Sequence, residues 1–177
     1  MQRSRMRIKT FGFVVIAATL CGAAPGMAYP GAPFPYLTNH THCSWNVMSY
    51  QGVSGIWFLP GNCNFDTGDL AYFANSRLVL QPQDGNLVIY AIDSGRAAWG
   101  AGAKVRTGVH MSFESDGNLV IWAPDGASWW TGTDVRCNRT EIGEHKYLAL
   151  QSDGNMVIYC WKGNDTYALW ATNTQMH

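Results

Sequence analysis

Charge is scarce in this sequence and has no preferred sign. With 12 Lys+Arg against 12 Asp+Glu, only 14% of the 177 residues are charged, so nothing draws the chain electrostatically to a nucleic acid or an anionic membrane. Long apolar runs are lacking too, since the run from Phe11 to Ala24 falls short of the ~18–20 residues a spanning helix needs. Catalytic signatures are also missing: there is no Gly-x-Ser-x-Gly elbow, no His-Glu-x-x-His helix and no phosphate-binding glycine loop. Acid pairs such as Glu141 and Glu144 have no repeated pocket context, which gives a glycosidase little support. His40-Thr-His42-Cys43 holds imidazoles and a thiol but no second ligand group at a usual zinc spacing. These absences point away from an enzyme, a metal and a cofactor, and toward a ligand held without net charge.

Residues 1–28 have the layout of a secretory signal peptide. Arg3, Arg5, Arg7 and Lys9 precede the apolar run, and Gly26-Met27-Ala28 supplies small residues at a cleavage site. The mature chain is therefore expected outside the cell or in a periplasm, with no membrane insertion. Cys43, Cys63, Cys137 and Cys160 remain after the leader, an even number suited to two disulfides in an oxidising compartment. Of the three possible pairings, sequence proximity favours Cys43–Cys63 and Cys137–Cys160. Three glycosylation sequons begin at Asn39, Asn138 and Asn164, and their use depends on a eukaryotic secretory pathway.

One pattern occurs three times. Leu80-Gln-Pro-Gln-Asp-Gly-Asn-Leu-Val-Ile-Tyr90, Phe113-Glu-Ser-Asp-Gly-Asn-Leu-Val-Ile-Trp122 and Leu150-Gln-Ser-Asp-Gly-Asn-Met-Val-Ile-Tyr159 share Asp-Gly-Asn-(Leu/Met)-Val-Ile-aromatic. Each is followed by a Trp, read as Trp99, Trp130 and Trp170, which implies three copies of one β unit. Of the neighbours Trp129 and Trp130, strand alternation sends one to the core and one to the surface.

Asp-Gly between alternating apolar runs signals a hairpin, because Gly accepts the positive φ of a tight turn. A three-residue loop Ser152-Asp153-Gly154 sets Gln151 opposite Asn155, Leu150 opposite Met156, Leu148 opposite Ile158 and Tyr147 opposite Tyr159. Leu and Ile then share one face, while Gln151, Asn155, Val157 and Tyr159 share the other. A two-residue loop would mix the faces. The second unit follows the same register, with Phe113 opposite Leu119, Met111 opposite Ile121 and Glu114 opposite Asn118. In the first unit the extra residue lengthens the turn to Pro82–Gly85, so that Gln81 still faces Asn86 and Pro82 stays out of the strand.

The polar face mixes amide, carboxylate and phenol around a Val, the complement of a sugar's hydroxyls and C–H surface. Gln151-x-Asp153-x-Asn155-x-Val157-x-Tyr159 resembles the Gln-x-Asp-x-Asn-x-Val-x-Tyr motif of bulb-type mannose-binding lectins at every fixed position. The resemblance extends over about residues 56–175, including Gly68-Asp-Leu-Ala-Tyr72 and Ala168-Leu-Trp-Ala-Thr-Asn-Thr174. It implies an all-β protein, a β-prism II of three four-stranded antiparallel sheets with pseudo-threefold symmetry, Trp side chains near the axis and one mannose pocket per sheet. It also implies that Gln151, Asp153, Asn155 and Tyr159 hydrogen-bond the sugar while Val157 packs on its ring. The first copy carries the same roles to Gln81, Asp84, Asn86, Val88 and Tyr90. The second offers Glu114, Asp116, Asn118, Val120 and Trp122, where Glu for Gln and Trp for Tyr remove an amide donor and a phenol. That site is expected to be weakened or altered, with Trp122 available to stack on a ring, and the third site is expected to lead.

The expected organisation is a leader (1–28), an N-terminal extension (29–55) clamped through Cys43, and a lectin domain (56–177). The expected function is a secreted lectin for mannose or mannose-containing glycans. Two rivals stay open: a bacteriocin-like or toxin protein that targets surface glycans through the same fold, and a structural or protein-binding module with vestigial sites. The resemblance also implies dimerisation by exchange of the C-terminal strand, Leu169 to Thr174.

Overall fold

A computed structural model describes residues 35–61, 63–105, 108–134, 137, 145–162 and 165–175. Residues 1–28, expected to be a leader, the sequons at Asn138 and Asn164, and Glu141 and Glu144 lie outside the described residues. The elements are all strands: β1 (Tyr36–Leu37), β2 (Thr41–His42), β3 (Trp45–Tyr50), β4 (Val53–Phe58), β5 (Cys63–Asp66), β6 (Gly68–Phe73), β7 (Ser76–Leu80), β8 (Leu87–Ala91), β9 (Ala97–Gly100), β10 (His110–Phe113), β11 (Leu119–Ala123), β12 (Gly126–Trp130), β13 (His145–Gln151), β14 (Met156–Lys162) and β15 (Asp165–Ala171).

They form three antiparallel sheets with the orders β1-β6-β7-β8-β9, β2-β5-β10-β11-β12 and β3-β4-β13-β14-β15. Each repeat supplies three consecutive strands of one sheet, as the hairpin reading requires. The fourth and fifth strands come from the N-terminal part of the chain. It visits the three sheets in turn through β1, β2 and β3, then returns in reverse through β4, β5 and β6.

The expected four-stranded sheets are thus five-stranded. The added edge strands β1, β2 and β3 all lie before residue 56. β3 alone pairs with β4 over six residues, from Trp45 opposite Phe58 to Tyr50 opposite Val53. Sequence patterning missed β1 and β2 because they are two residues long, too short for an alternation to register.

The hairpin registers match expectation. Leu148 faces Ile158 and Leu150 faces Met156 in the third sheet, Met111 faces Ile121 and Phe113 faces Leu119 in the second, and Leu78 faces Ile89 and Leu80 faces Leu87 in the first. All twelve of these side chains are fully buried in one common core. Each contributes roughly 1.5–3 kcal/mol of transfer free energy before the entropy of ordering is set against it.

At the centre, Trp99, Trp129 and Trp170 meet edge-to-face at centroid separations of 5.6–5.9 Å, a favoured arrangement of aromatic quadrupoles. The second repeat's axial residue is therefore Trp129, which pairs across from Ile121 as Trp99 does from Ile89 and Trp170 from Ile158. Trp130, read from the sequence as the repeat's closing Trp, instead points outward and is 57% exposed.

Both favoured disulfides are present. Cys43–Cys63 joins the β2–β3 connection to β5, and Cys137–Cys160 joins the segment after β12 to β14 of the third sheet.

Candidate functional site

The three Asp-Gly-Asn turns share one hydrogen-bond plan. The backbone carbonyls of Asn86, Asn118 and Asn155 accept across the hairpin from the N–H groups of Gln81, Glu114 and Gln151. Each Asp accepts the N–H two residues on through Oδ1: Asp84 from Asn86 at 3.1 Å, Asp116 from Asn118 at 2.9 Å and Asp153 from Asn155 at 3.0 Å. This is the Asx turn that makes Asp useful at such positions. Gly117 and Gly154 close on residues Glu114 and Gln151, three back, whereas Gly85 closes on Gln81, four back. The extra residue of the first copy is absorbed in the turn and Gln81 keeps its place.

Each Asn also uses one end of its amide for the fold. Asn86 Oδ1 accepts from the Gly102 N–H, Asn118 Oδ1 from the Gly132 and Thr133 N–H groups and the Thr131 hydroxyl, and Asn155 Oδ1 from the Thr172 hydroxyl and the Thr174 N–H. These partners follow the axial Trp by two to four residues. Thr131-Gly-Thr133 and Thr172-Asn-Thr174 are thus part of the repeat, and aligning on them would have selected Trp129 over Trp130. Among the described residues, Oδ2 of each Asp and Nδ2 of each Asn carry no hydrogen bond, so each Asp keeps one acceptor atom and each Asn its amide donor.

The remaining pair differs between copies. Gln81 Nε2 donates to Tyr90 Oη at 2.7 Å and Gln151 Nε2 donates to Tyr159 Oη at 2.9 Å. In the second copy the bond runs the other way: Trp122 Nε1 donates to Glu114 Oε1 at 3.1 Å and to Ser112 Oγ at 2.8 Å, and the Ser112 hydroxyl donates to the same Glu114 oxygen. Glu114 and Trp122 therefore bond to each other as the Gln–Tyr pairs of the other copies do. Ser112, two residues before Glu114 on the same strand face, takes part where Val79 and Ala149 stand in the other sheets.

The residues beside Val88, Val120 and Val157 set how open each site is. All three Val side chains are nearly buried and form a floor. Across the first sheet the row on this face is Asp69, Val79, Val88, Gly100. Across the second it is Asn64, Ser112, Val120, Trp130, and across the third Trp57, Ala149, Val157, Ala171.

Trp57 packs beside the third site. Its ring is 1% exposed, lies parallel to Tyr159 at 5.2 Å, and is flanked edge-on by Tyr50 and Tyr147. In the same copy Gln151 and Asn155 are each only 5% exposed. Burial is the first cause that pushes the Tyr159 phenol above its ordinary pKa, partly opposed by the bond from Gln151. Trp57 lies in β4, about a hundred residues away in the chain, so the motif gave no sign of it.

The first copy keeps Gln81, Asp84, Asn86 and Tyr90 half-buried, and Gly100 leaves its flank without a wall. Arg77 lies over the Tyr90 ring at 5.7 Å and is held by Asp69 Oδ1 at 2.6 and 3.0 Å, while Tyr72 donates to the other Asp69 oxygen. That bond to Asp69 is the main reason the Arg77 pKa rises, and burial leads the rise at Tyr72. Asp69 and Arg77 are thus positioning residues for Tyr90. The second copy lines a cleft of about 450 Å³ whose walls include Glu114, Asp116, Asn118, Trp122 and Trp130.

Among the described residues, the other sequence candidates form no comparable site. His42 Nε2 pairs with Asp66 at 3.0 Å on the surface and Cys43 is oxidised. The C-terminal strand β15 pairs with β14 of its own chain.

No family model and no curated protein matches the chain. Among solved structures, a monomeric monocot mannose-binding lectin from Gastrodia elata is 33% identical, with a TM-score of 0.50, over 65% of this chain and 93% of that one. A lectin from Marasmius oreades is 28% identical over 66% of this chain and 90% of that one, with a TM-score of 0.49. The mannose-specific agglutinin of Galanthus nivalis, solved with methyl α-D-mannoside, is 26% identical over 67% and 92%, with a TM-score of 0.36. Three antiparallel sheets around a Trp triad, and one-third identity across nearly all of the Gastrodia elata chain, show that this chain belongs to the bulb-type lectin family.

Proposed function

We propose that the protein is a secreted, non-enzymatic lectin for mannose or mannose-containing glycans, and that its first hairpin, Gln81, Asp84, Asn86, Val88 and Tyr90, carries most of the binding. The observation that supports this reading is the division of labour within the turn. Asp84 and Asn86 each spend one atom on the fold and keep Oδ2 and Nδ2 for a ligand at a half-buried, unwalled position. A carboxylate oxygen accepts from sugar hydroxyls, the amide N–H donates to a hydroxyl oxygen, and the Tyr90 O–H, freed by accepting from Gln81, supplies a second donor. Val88 forms the apolar floor. Two disulfides suit an oxidising compartment and agree with a secreted chain.

One shallow sugar site binds weakly, so strong capture of a multivalent glycan depends on several sites or copies acting together. A glycan array tests the reading. The wild-type protein should retain high-mannose glycans, and Asp84→Ala should lose them more completely than Asp153→Ala. Absence of mannoside signal in the wild type defeats the proposal.

A further inference from the structure

The second hairpin does not repeat the chemistry of the first. Glu114 places a carboxylate where the other copies have an amide, and its Oε1 is occupied by the Trp122 indole and the Ser112 hydroxyl. Its second oxygen, Oε2, has no hydrogen bond among the described residues, and neither has Asp116 Oδ2. The indole N–H, the one donor Trp122 owns, is spent on Glu114 and Ser112. Where Tyr90 keeps an O–H to offer, this site therefore offers two anionic acceptors, and Asn118 Nδ2 is its remaining amide donor. The ammonium of Lys146 is directed at the backbone carbonyls of Asp116 and Thr133, and Lys146 is not among the residues that line the cleft. His110 stacks beside Trp122 at 6.5 Å. Trp130, 57% exposed, adds an aromatic wall where the other sheets have Gly100 and Ala171.

A neutral hexose hydroxyl needs a donor for its lone pairs as well as an acceptor for its proton. An ammonium group has donors only, so it matches an acceptor-rich pocket without leaving lone pairs unpaired. It also gains from the faces of two indoles, while the C–H face of a pyranose ring packs on the same surface. We infer that the cleft between Glu114, Asp116, Trp122 and Trp130 is a second, chemically distinct sugar site, selective for a hexose that carries a free, protonated amine, as in a deacetylated 2-amino-2-deoxyhexose.

This inference rests on the lectin reading only in taking the hairpin face as the sugar-facing side. The second site would give one chain two specificities, a neutral mannoside at the first hairpin and an amino sugar at the second.

The test is a calorimetric or saturation-transfer NMR titration of the full chain with methyl 2-amino-2-deoxy-α-D-glucopyranoside, its N-acetyl counterpart and methyl α-D-mannopyranoside. The amine should bind, the N-acetyl form should bind about tenfold more weakly or less, and saturating mannoside should not displace the amine. Glu114→Gln should weaken the amine about tenfold, since a charge-assisted contact is lost. Trp130→Ala, a change at an exposed side chain that leaves the core untouched, should weaken it about threefold. Equal affinity for amine and N-acetyl sugar, amine binding unaltered in both variants, or no amine binding at all overturns the inference. Each of those results leaves mannoside binding at the first hairpin as a separate reading on the same instrument.

Discussion

Trp57→Ala separates the fold from the site most sharply. Trp57 is almost wholly buried and stacks on Tyr159, and removing a large aromatic from such a place costs about 3–5 kcal/mol through lost transfer energy and an unfilled cavity. Two features reduce that figure. Trp57 Nε1 is a buried donor without a partner among the described residues, and eliminating such a group recovers about 1–3 kcal/mol of desolvation. The cavity also opens next to Gln151 and Tyr159, whose polar ends can take up water. A net loss of about 2 kcal/mol is expected, which leaves the variant folded if the parent lies in the ordinary range of about 5–15 kcal/mol. Urea unfolding followed by fluorescence measures it, with an unchanged slope as the sign that both end states are comparable. The same change uncovers the third hairpin, so a mannoside titration should show one additional site, removed again by Asp153→Ala. A stability loss of less than about 1 kcal/mol, or an unchanged number of sites, would refute the claim that Trp57 both supports the third sheet and closes its pocket.

Other perturbations probe other parts of the structure. Gly117→Ala should lower the melting temperature by several degrees: φ is +81° and an added Cβ would collide with the Lys146 side chain, which combines about 1–2 kcal/mol of backbone strain with a forced shift of that side chain. An unaltered melting temperature would contradict it. Replacing Cys43 and Cys63 together by Ser should cost about 3 kcal/mol in urea unfolding, because their bond spans 20 residues and holds the N-terminal circuit of strands to the second sheet. An unmoved midpoint would count against that role. The Tyr72, Tyr147 and Tyr159 phenols are all held above their ordinary pKa, with burial as the first cause. A raised folded pKa gives stability that is complete below the unfolded value of about 10 and is lost as pH rises through the folded values. The urea midpoint should therefore fall from about pH 10 upward, and a flat profile there would contradict the assignment.

The parts of the structure legible in the sequence are those fixed by local geometry. The turn Ser152-Asp153-Gly154 sets a register, the register sends Leu148, Leu150, Met156 and Ile158 inward, and the same logic transferred to the copies containing Met111 and Leu78. Even the lengthened turn at Pro82 followed from keeping Gln81 opposite Asn86. What stayed hidden depends on contacts between distant segments. Trp57 reaches Tyr159 only because the chain returns through β4 to the third sheet, and no spacing near the motif records that return. The short strands β1 and β2 owe their place to pairing with β5 and β6 rather than to any pattern of their own. Trp129 and Trp130 were adjacent candidates for the axis, and a bulge between Ile121 and Trp122 decides between them, a shift of one residue that reverses which face each side chain meets. The altered second site was visible as two substitutions, yet their coupling required seeing that the Trp122 indole donates to Glu114.

The most direct measurement is a calorimetric titration of methyl α-D-mannopyranoside into the wild-type chain and into Asp84→Ala. Loss of a charge-assisted contact should weaken binding by about 1.5–3 kcal/mol, tenfold or more, with little change for Asp153→Ala while Trp57 is in place. Affinity held within about twofold in Asp84→Ala, or a loss that follows Asp153→Ala instead, would contradict binding at the first hairpin.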